Sequence, residues 1–139
     1  MNIKQLVAAD LMTRHPLSIA RTATLREAAV ILSRQKLHCL LVPGEAGECV
    51  GVITSKDIVQ ILCEGELELL DQLHVADAMT TPAITVQITF KVVDCLRLMR
   101  MSGVRSVPVL SGLDPVGILS FTDVLNASVA PSGRQGPAD

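Results

Sequence analysis

The chain has 139 residues, a formal net charge of −2 and an aromatic content of 1%, with no Trp or Tyr. This length fits one compact domain, and the hydrophobic residues, 49% of the chain, must build an aliphatic core. Nucleic acid is excluded as an expected partner. The chain has no cluster of Lys or Arg for a phosphate backbone and almost no aromatic side chains for base stacking.

Hydropathy and cysteine usage indicate the compartment. No apolar run approaches the roughly 18 residues of a membrane span, and the first five residues lack the apolar stretch of a signal peptide. The four cysteines form no CxxC pair, and a chain of this size does not need a disulfide framework. We therefore expect a cytoplasmic protein with no membrane partner and with reduced, mostly buried thiols.

One pattern occurs twice in the chain. The sequence Asp-Leu-Met-Thr that begins at Asp10 returns as Asp-Ala-Met-Thr at Asp77. The segment Gly-Val-Ile-Thr-Ser-Lys-Asp that ends at Asp57 returns as Gly-Ile-Leu-Ser-Phe-Thr-Asp, which ends at Asp123. Duplication predicts two similar halves related by a pseudo-twofold axis. Because a half of roughly 60 residues is marginal alone, we expect the halves to share one core.

In chain order, both copies predict the same elements. In the first copy these are a brief helix (7–13), a strand (17–19), an amphipathic helix with Leu25, Ala28, Ala29 and Leu32 on one face, a hairpin (39–42 with 49–54) and a helix from Ser55. In the second they are a brief helix (75–80), a strand (84–86), a helix with Val92, Cys95, Leu96 and Met99 on one face, a hairpin (106–110 with 116–120) and a helix from Phe121. Each repeat therefore reads β-α-β-β-α, and the fold class is α+β.

The domain boundaries follow from this order. We expect a first repeat at 1–62, an acidic connector at 63–74 and a second repeat at 75–127. Residues 128–139 contain prolines and glycines without a periodic apolar pattern, which is typical of a disordered tail.

These motifs resemble the CBS domain, a small module named after cystathionine beta-synthase and usually found as a tandem pair. The resemblance covers residues 7–127. It depends on the Asp10 and Asp77 openings, on Gly-Val-Arg-Ser-Val-Pro-Val at 103–109, and on the two Gly-h-h-(Thr/Ser)-x-x-Asp segments, where h is apolar. It implies a non-catalytic sensor that binds AMP, ADP, ATP or S-adenosylmethionine in clefts between the repeats. It also implies a homodimer that signals to a regulated protein partner.

The resemblance also indicates which residues would contact the ligand. Asp57 and Asp123 would accept hydrogen bonds from ribose hydroxyls, and an ionised carboxylate can accept two at once. For phosphate, Arg105 is the best cation, with the amides at the final helix starts as further donors. The expected ligand-binding residues are Ser18, Ile19, His38, Thr54, Lys56, Asp57, Thr85, Val86, Arg105, Ser120, Thr122 and Asp123.

Structural interpretations stand beside these roles. Thr54-x-x-Asp57 and Ser120-x-x-Asp123 are also capping-box sequences, in which the hydroxyl and the carboxylate bond to helix N-terminal amides. Arg105 has the alternative of facing solvent or forming an ion pair. His38 is better explained as a packed or surface histidine than as a phosphate ligand.

The copies differ where the first has Lys-Leu-His-Cys-Leu-Leu at 36–41 and the second has Gly-Val-Arg-Ser-Val-Pro at 103–108. This difference predicts unequal clefts with one dominant site. It also favours a rival hypothesis, a protein-interaction or dimerisation module with degenerate clefts. A redox sensor is a third hypothesis, but it needs an exposed thiol of low pKa, and both Cys39 and Cys95 are expected to face the core.

Catalytic motifs are missing from the sequence. It contains no P-loop, GxGxxG or GxSxG pattern, and His15, His38 and His74 lack metal-ligand spacing. We therefore expect no enzymatic activity, no metal site and no required cofactor.

Overall fold

The computed structural model describes residues 2–45 and 50–130. After a 3-10 turn at Ile3–Gln5, the first repeat contains α1 (Ala8–Leu11), β1 (Thr13–Arg14), α2 (Leu25–Gln35), β2 (Cys39–Val42), β3 (Gly51–Thr54) and α3 (Ser55–Glu64). A short helix, α4 (Leu69–Gln72), lies in the connector. The second repeat contains α5 (Val75–Ala78), β4 (Val86–Gln87), α6 (Val92–Ser102), β5 (Ser106–Ser111), β6 (Asp114–Ser120) and α7 (Phe121–Val129). This element content confirms the α+β class.

The chain forms two compact units that differ from the sequence repeats. The continuous unit is Leu17–Ala83, and the discontinuous unit combines Met1–Pro16 with Ile84–Asp139. The opening segment of the first repeat therefore belongs to the same unit as the body of the second repeat. Likewise, the opening segment of the second repeat belongs with the body of the first.

The discontinuous unit contains a four-stranded sheet with the order β1-β6-β5-β4. Strands β5 and β6 form an antiparallel hairpin, β1 pairs antiparallel with β6, and β4 pairs parallel with β5. The turn of the hairpin has Gly112 at φ 65°, a conformation that favours glycine. Gln87 holds this turn with its side-chain amide, which donates to Gly112 O at 2.9 Å and accepts from Gly112 N at 3.1 Å.

The continuous unit repeats this layout with fewer regular pairs. Strands β2 and β3 pair antiparallel, Ser18 forms a single parallel bridge to Leu41, and Val52 forms an antiparallel bridge to Thr80. The predicted strand at 17–19 is therefore wrong as a continuous strand. Two hydrogen bonds, from Ile19 N to Leu41 O at 2.9 Å and from Leu41 N to Leu17 O at 3.0 Å, form this one bridge, whereas β4 pairs with β5 at two successive residues. That second strand begins at Val86, two residues after the predicted start.

Each unit has its own buried apolar cluster. One cluster contains Leu25, Leu32, Leu40 and Ile53, and the other contains Val92, Met99, Val107 and Leu119, with further small and branched side chains in both. The amphipathic faces predicted for α2 and α6 are confirmed, because their stripes supply these buried residues. The expectation of one core shared by both halves is wrong. The repeat pattern marks which positions are apolar, but it does not say which copy each opening segment packs against.

Several boundaries refine the expectations from sequence. Helices α3 and α7 begin at Ser55 and Phe121 as predicted, and α3 ends before Gly65. Helix α7 continues through Val129, two residues into the expected tail, and Ser128 Oγ donates to Val124 O at 2.7 Å within it. The rest of that tail from residue 131 and residues 46–49 of the first hairpin turn, which include Cys49, lie outside the described residues.

The connector is part of the continuous unit rather than a separate linker. Leu70 of α4 is buried in the cluster of that unit. Arg26 of α2 donates to Asp71 of α4 through two of its guanidinium nitrogens, with Nε to Oδ1 at 2.6 Å and Nη2 to Oδ2 at 3.0 Å. This pairing lowers the pKa of the Asp71 carboxyl and raises the pKa of Arg26, in both cases chiefly through the side-chain hydrogen bond.

Candidate functional site

The two equivalent Asp residues lie at the starts of the last helix of each repeat. In α3, Thr54 N donates to Asp57 Oδ2 at 2.8 Å, and Asp57 N donates to Thr54 Oγ1 at 3.2 Å. In α7, Ser120 N donates to Asp123 Oδ2 at 2.9 Å, and Asp123 N donates to Ser120 Oγ at 3.1 Å. The capping interpretation is therefore confirmed at both positions. Because each cap uses only part of its carboxylate, the same residues remain candidates for ligand binding.

The helix caps leave few amides for a phosphate. The first helical amides are already bonded, since Ser55 N donates to His38 O and Phe121 N donates to Arg105 O, both at 3.0 Å. The third helical amides bond the capping hydroxyls described above. Of the amides expected at the helix starts, the second helical amides, those of Lys56 and Thr122, therefore remain as candidates among the described residues.

Each helix start lies beside the opening segment of the other repeat. In the continuous unit, the backbone of Thr80 exchanges hydrogen bonds of 2.9 Å with the backbone of Val52 in β3. In the discontinuous unit, Thr13 is the register partner of Ile118 in β6. The glycines of the repeated motif make room for this approach. A Cβ at Gly51 would lie 3.0 Å from Thr80 O, and one at Gly117 would lie 2.9 Å from Thr13 O and 2.6 Å from Met12 Sδ.

The two carboxylates differ in how many hydrogen bonds they accept. Besides the amide of Ser120, Asp123 Oδ2 accepts from Ser120 Oγ at 2.9 Å, and Asp123 Oδ1 accepts from Thr13 Oγ1 at 3.0 Å. Asp57 accepts only the amide of Thr54 within the part of the chain that the structure describes. The two helix starts are therefore equivalent in backbone but not in the availability of their carboxylates.

Two arginines line an open groove in the discontinuous unit. The groove has a volume of about 280 Å³ and is lined by Met99, Arg100, Gly103, Val104, Arg105 and Phe121. Both arginines are exposed. Across residues 2–45 and 50–130, neither is paired with a carboxylate, so Arg105 faces solvent and makes no ion pair. Two unneutralised guanidinium groups beside an aromatic ring suit an anion with a planar or apolar part.

The remaining predicted residues divide into buried and exposed positions. Ile19 and Val86 are 8% and 1% exposed and belong to the two cores, so only their backbones could reach a ligand. Of the apolar and backbone contacts to an adenine ring that the resemblance implies for Ser18-Ile19 and Thr85-Val86, Ile19 and Val86 are therefore left with the backbone contacts. The side chains that remain accessible beside them or at the helix starts are those of Ser18, His38, Lys56, Thr85 and Thr122.

Thr13 and Arg100 were absent from the residues predicted from sequence. Thr13 belongs to the repeated Asp-x-Met-Thr motif, which could have indicated a role for its hydroxyl. The pattern did not reveal that this motif packs against the last helix of the other repeat. Arg100 lies in an amphipathic helix pattern, and nothing in its spacing distinguishes it from an ordinary solvent-facing residue.

The structure also bears on the redox hypothesis for the cysteines and on metal binding. Cys39 and Cys95 are buried, and burial raises the pKa of the Cys95 thiol, with the charge of Asp94 contributing further. A reactive thiol needs the opposite shift, so the structure contradicts redox sensing through Cys95. Cys63 is exposed. Among the described residues, no group of three or more His, Cys, Asp or Glu side chains is arranged to hold a metal ion.

Comparison with protein families identifies the family to which both repeats belong. The model of the CBS domain matches residues 7–64 and, a second time, residues 75–130. The chain belongs to the CBS domain family. The resemblance found in the two motif sets is thus confirmed, and the two helix starts are corresponding parts of a CBS pair.

Relatives with this fold occur both alone and within larger proteins. Arabinose 5-phosphate isomerase KdsD of Salmonella typhimurium is 31% identical over 111 residues, which cover 80% of this chain and 33% of the isomerase. The chain thus spans about a third of the length of that curated relative. The CBS-domain-containing protein ATU1752 from Agrobacterium tumefaciens has a TM-score of 0.80 at 26% identity, with 88% of this chain and 99% of that chain covered.

A second similar structure contains ligands. The CBS domain pair of protein MJ0100 was solved in complex with 5′-methylthioadenosine and S-adenosyl-L-methionine. It has a TM-score of 0.76 and 25% identity, and the match covers 88% of this chain and 94% of that one.

In the described part of the present chain, no helix is both long and apolar enough to cross a membrane.

Proposed function

We propose that this CBS pair is a non-catalytic regulatory module that binds an adenosine-containing ligand at the helix starts of Asp57 and Asp123. The candidate ligands are AMP, ADP, ATP and S-adenosylmethionine. The observation that carries the proposal is the pair of equivalent half-buried carboxylates, each fixed by a cap to the start of a helix. Each keeps acceptor capacity beyond the amide that it caps.

Ribose recognition follows from the chemistry of the carboxylate. A ribose presents two neighbouring hydroxyl donors, and an ionised carboxylate accepts two such donors in one plane. Because the cap holds each Asp side chain in place, less conformational freedom is lost when the sugar binds. Asp57 and Asp123 are therefore assigned the ribose hydroxyls.

Phosphate recognition is assigned to the discontinuous unit. Arg105 and Arg100 line the same groove, and the second helical amide of α7, that of Thr122, is available beside them. In the continuous unit, His38 occupies the position equivalent to Arg105 of the discontinuous unit, and Lys56 is the exposed cation at the helix start. A phosphorylated ligand is thus better matched by the discontinuous unit than by the continuous one.

Ligands bound to related pairs support the same ligand class. MJ0100 holds two adenosine derivatives that carry sulfur in place of phosphate. The continuous unit, which has His38 in place of Arg105, suits a ligand of this kind. We propose that the protein acts in the cytoplasm, that binding favours one conformation of a homodimer, and that a protein partner responds to that conformation.

A thermal-shift panel tests the proposal. Full-length protein is heated with AMP, ADP, ATP, S-adenosylmethionine or, as a control, GMP. A ligand present at about 100 times its dissociation constant adds about 2.7 kcal/mol, which corresponds to a rise in Tm of roughly 5 to 10 °C. We expect such a rise with at least one adenosine compound and a smaller rise with GMP. No rise with any of the four would leave a protein-interaction or dimerisation module as the better account.

A further inference from the structure

We propose that Thr13 is an internal competitor for the ligand-binding carboxylate of Asp123, which makes Asp57 the carboxylate that binds a ribose diol more readily. This inference rests on the proposed function and concerns how the two sites differ. The sequence predicts one dominant site and counts against a site that relies on first-copy contacts, whereas this inference favours Asp57, the carboxylate of the first copy.

The first step is the number of acceptor positions. An ionised carboxylate has about four lone-pair positions. Asp123 fills three of them internally, with the amide and the hydroxyl of Ser120 and the hydroxyl of Thr13. About one position remains, and a diol needs two. Asp57 has one internal hydrogen bond in the described chain, so about three positions remain.

The second step is the identity of the bond that must break. The Ser120 bonds belong to the helix cap, so breaking them would destabilise the first turn of α7. The Thr13 bond joins Asp123 to β1, a two-residue strand at an exposed position, and its hydroxyl can rotate to water instead. A ribose hydroxyl therefore replaces Thr13 on Oδ1 before it replaces Ser120 on Oδ2.

The third step is the comparison within the same chain. Thr80 holds the equivalent position in the other unit and exchanges backbone hydrogen bonds with Val52. Among the described residues, its hydroxyl makes no hydrogen bond to Asp57. The two threonines share a motif and a backbone position, but only one of them occupies the carboxylate.

Calorimetric titration of full-length protein with AMP and with S-adenosylmethionine tests this inference. In an Asp57→Asn background, only the carboxylate of Asp123 remains, and Asn keeps an acceptor for the cap amide. In that background Thr13→Val, which keeps the β-branched shape, is expected to tighten binding about threefold to tenfold, the effect of freeing one hydrogen-bond acceptor. If the Asp57→Asn protein binds too weakly to measure, Thr13→Val is expected to bring binding into range.

Two control variants separate the hydroxyl from the rest of the side chain. Thr13→Ser keeps the hydroxyl and should behave as the parent protein, and Thr80→Val in an Asp123→Asn background should change the affinity less than about twofold. Unchanged or weaker binding with Thr13→Val would overturn the inference while leaving the proposed function intact. Absence of binding heat in the wild-type protein with AMP, ADP, ATP and S-adenosylmethionine would overturn both.

Discussion

At the scale of single residues, two aspartates combine a structural role with a proposed role in ligand binding. Asp57 and Asp123 cap helices, and we propose that their remaining acceptor positions bind a hydroxyl-bearing ligand. The capping role was readable from sequence because Thr-x-x-Asp and Ser-x-x-Asp have a local geometry that does not depend on distant contacts. The bond between Thr13 and Asp123 joins residues far apart in the chain, so no local pattern could reveal it.

Helices α2 and α6 end in different cap residues, and this difference leads to a prediction about stability. Both caps are left-handed, with Lys36 at φ 54° and Gly103 at φ 72°. A residue with a Cβ is strained there, whereas glycine is not. We expect Lys36→Gly to raise the free energy of unfolding by about 0.5 to 1 kcal/mol and Gly103→Ala to lower it by about 1 kcal/mol, measured by urea unfolding.

Lys36→Ala is the control for the first substitution, since it removes the long side chain but keeps a Cβ at the left-handed position. It should not stabilise the protein. A Lys36→Gly protein that is less stable than the wild type would show that contacts of the lysine outweigh its backbone strain.

At the scale of elements, the connector helix α4 is held to α2 by an exposed pair of charges. The Arg26 hydrogen bond lowers the pKa of the Asp71 carboxyl below its ordinary value. A carboxyl whose pKa is lower in the folded state contributes stability that is complete above its unfolded-state pKa of about 3.9. That contribution disappears as the pH falls through the folded-state value.

The pairing therefore predicts a stability difference that depends on pH. Asp71→Asn should be less stable than the wild type in urea at pH 7, and the two unfolding curves should converge as the pH is lowered below about 4. Because both side chains are exposed, the difference at pH 7 should also shrink in 1 M salt. A difference that is unchanged by both acid and salt would mean that Asp71 acts through packing rather than charge.

Element types were more predictable than strand extents. The starts of α3 and α7 and the buried faces of α2 and α6 follow from caps and apolar periodicity. The ladder beside Ser18 depends on how many hydrogen bonds a neighbouring strand offers, so the continuous strand predicted at 17–19 was wrong.

At the scale of the whole molecule, duplication and packing partner are separate properties. The repeat pattern showed that Thr13 and Thr80, or Asp57 and Asp123, hold equivalent positions. It did not show that each opening segment belongs to the unit built on the other repeat, and for this reason the expectation of one shared core failed. The candidate sites combine residues from both repeats as a consequence of that exchange.

The central claim is that the two helix-start carboxylates bind the sugar of an adenosine ligand. Calorimetric titration of the wild type and of the double variant Asp57→Asn, Asp123→Asn with AMP and S-adenosylmethionine tests it most directly. Both proteins should keep the same circular dichroism spectrum, because Asn retains an acceptor for each cap. The account predicts binding to the wild type and at least a tenfold loss of affinity in the double variant, the order expected for charge-assisted hydrogen bonds. Equal affinity in the two folded proteins would contradict it.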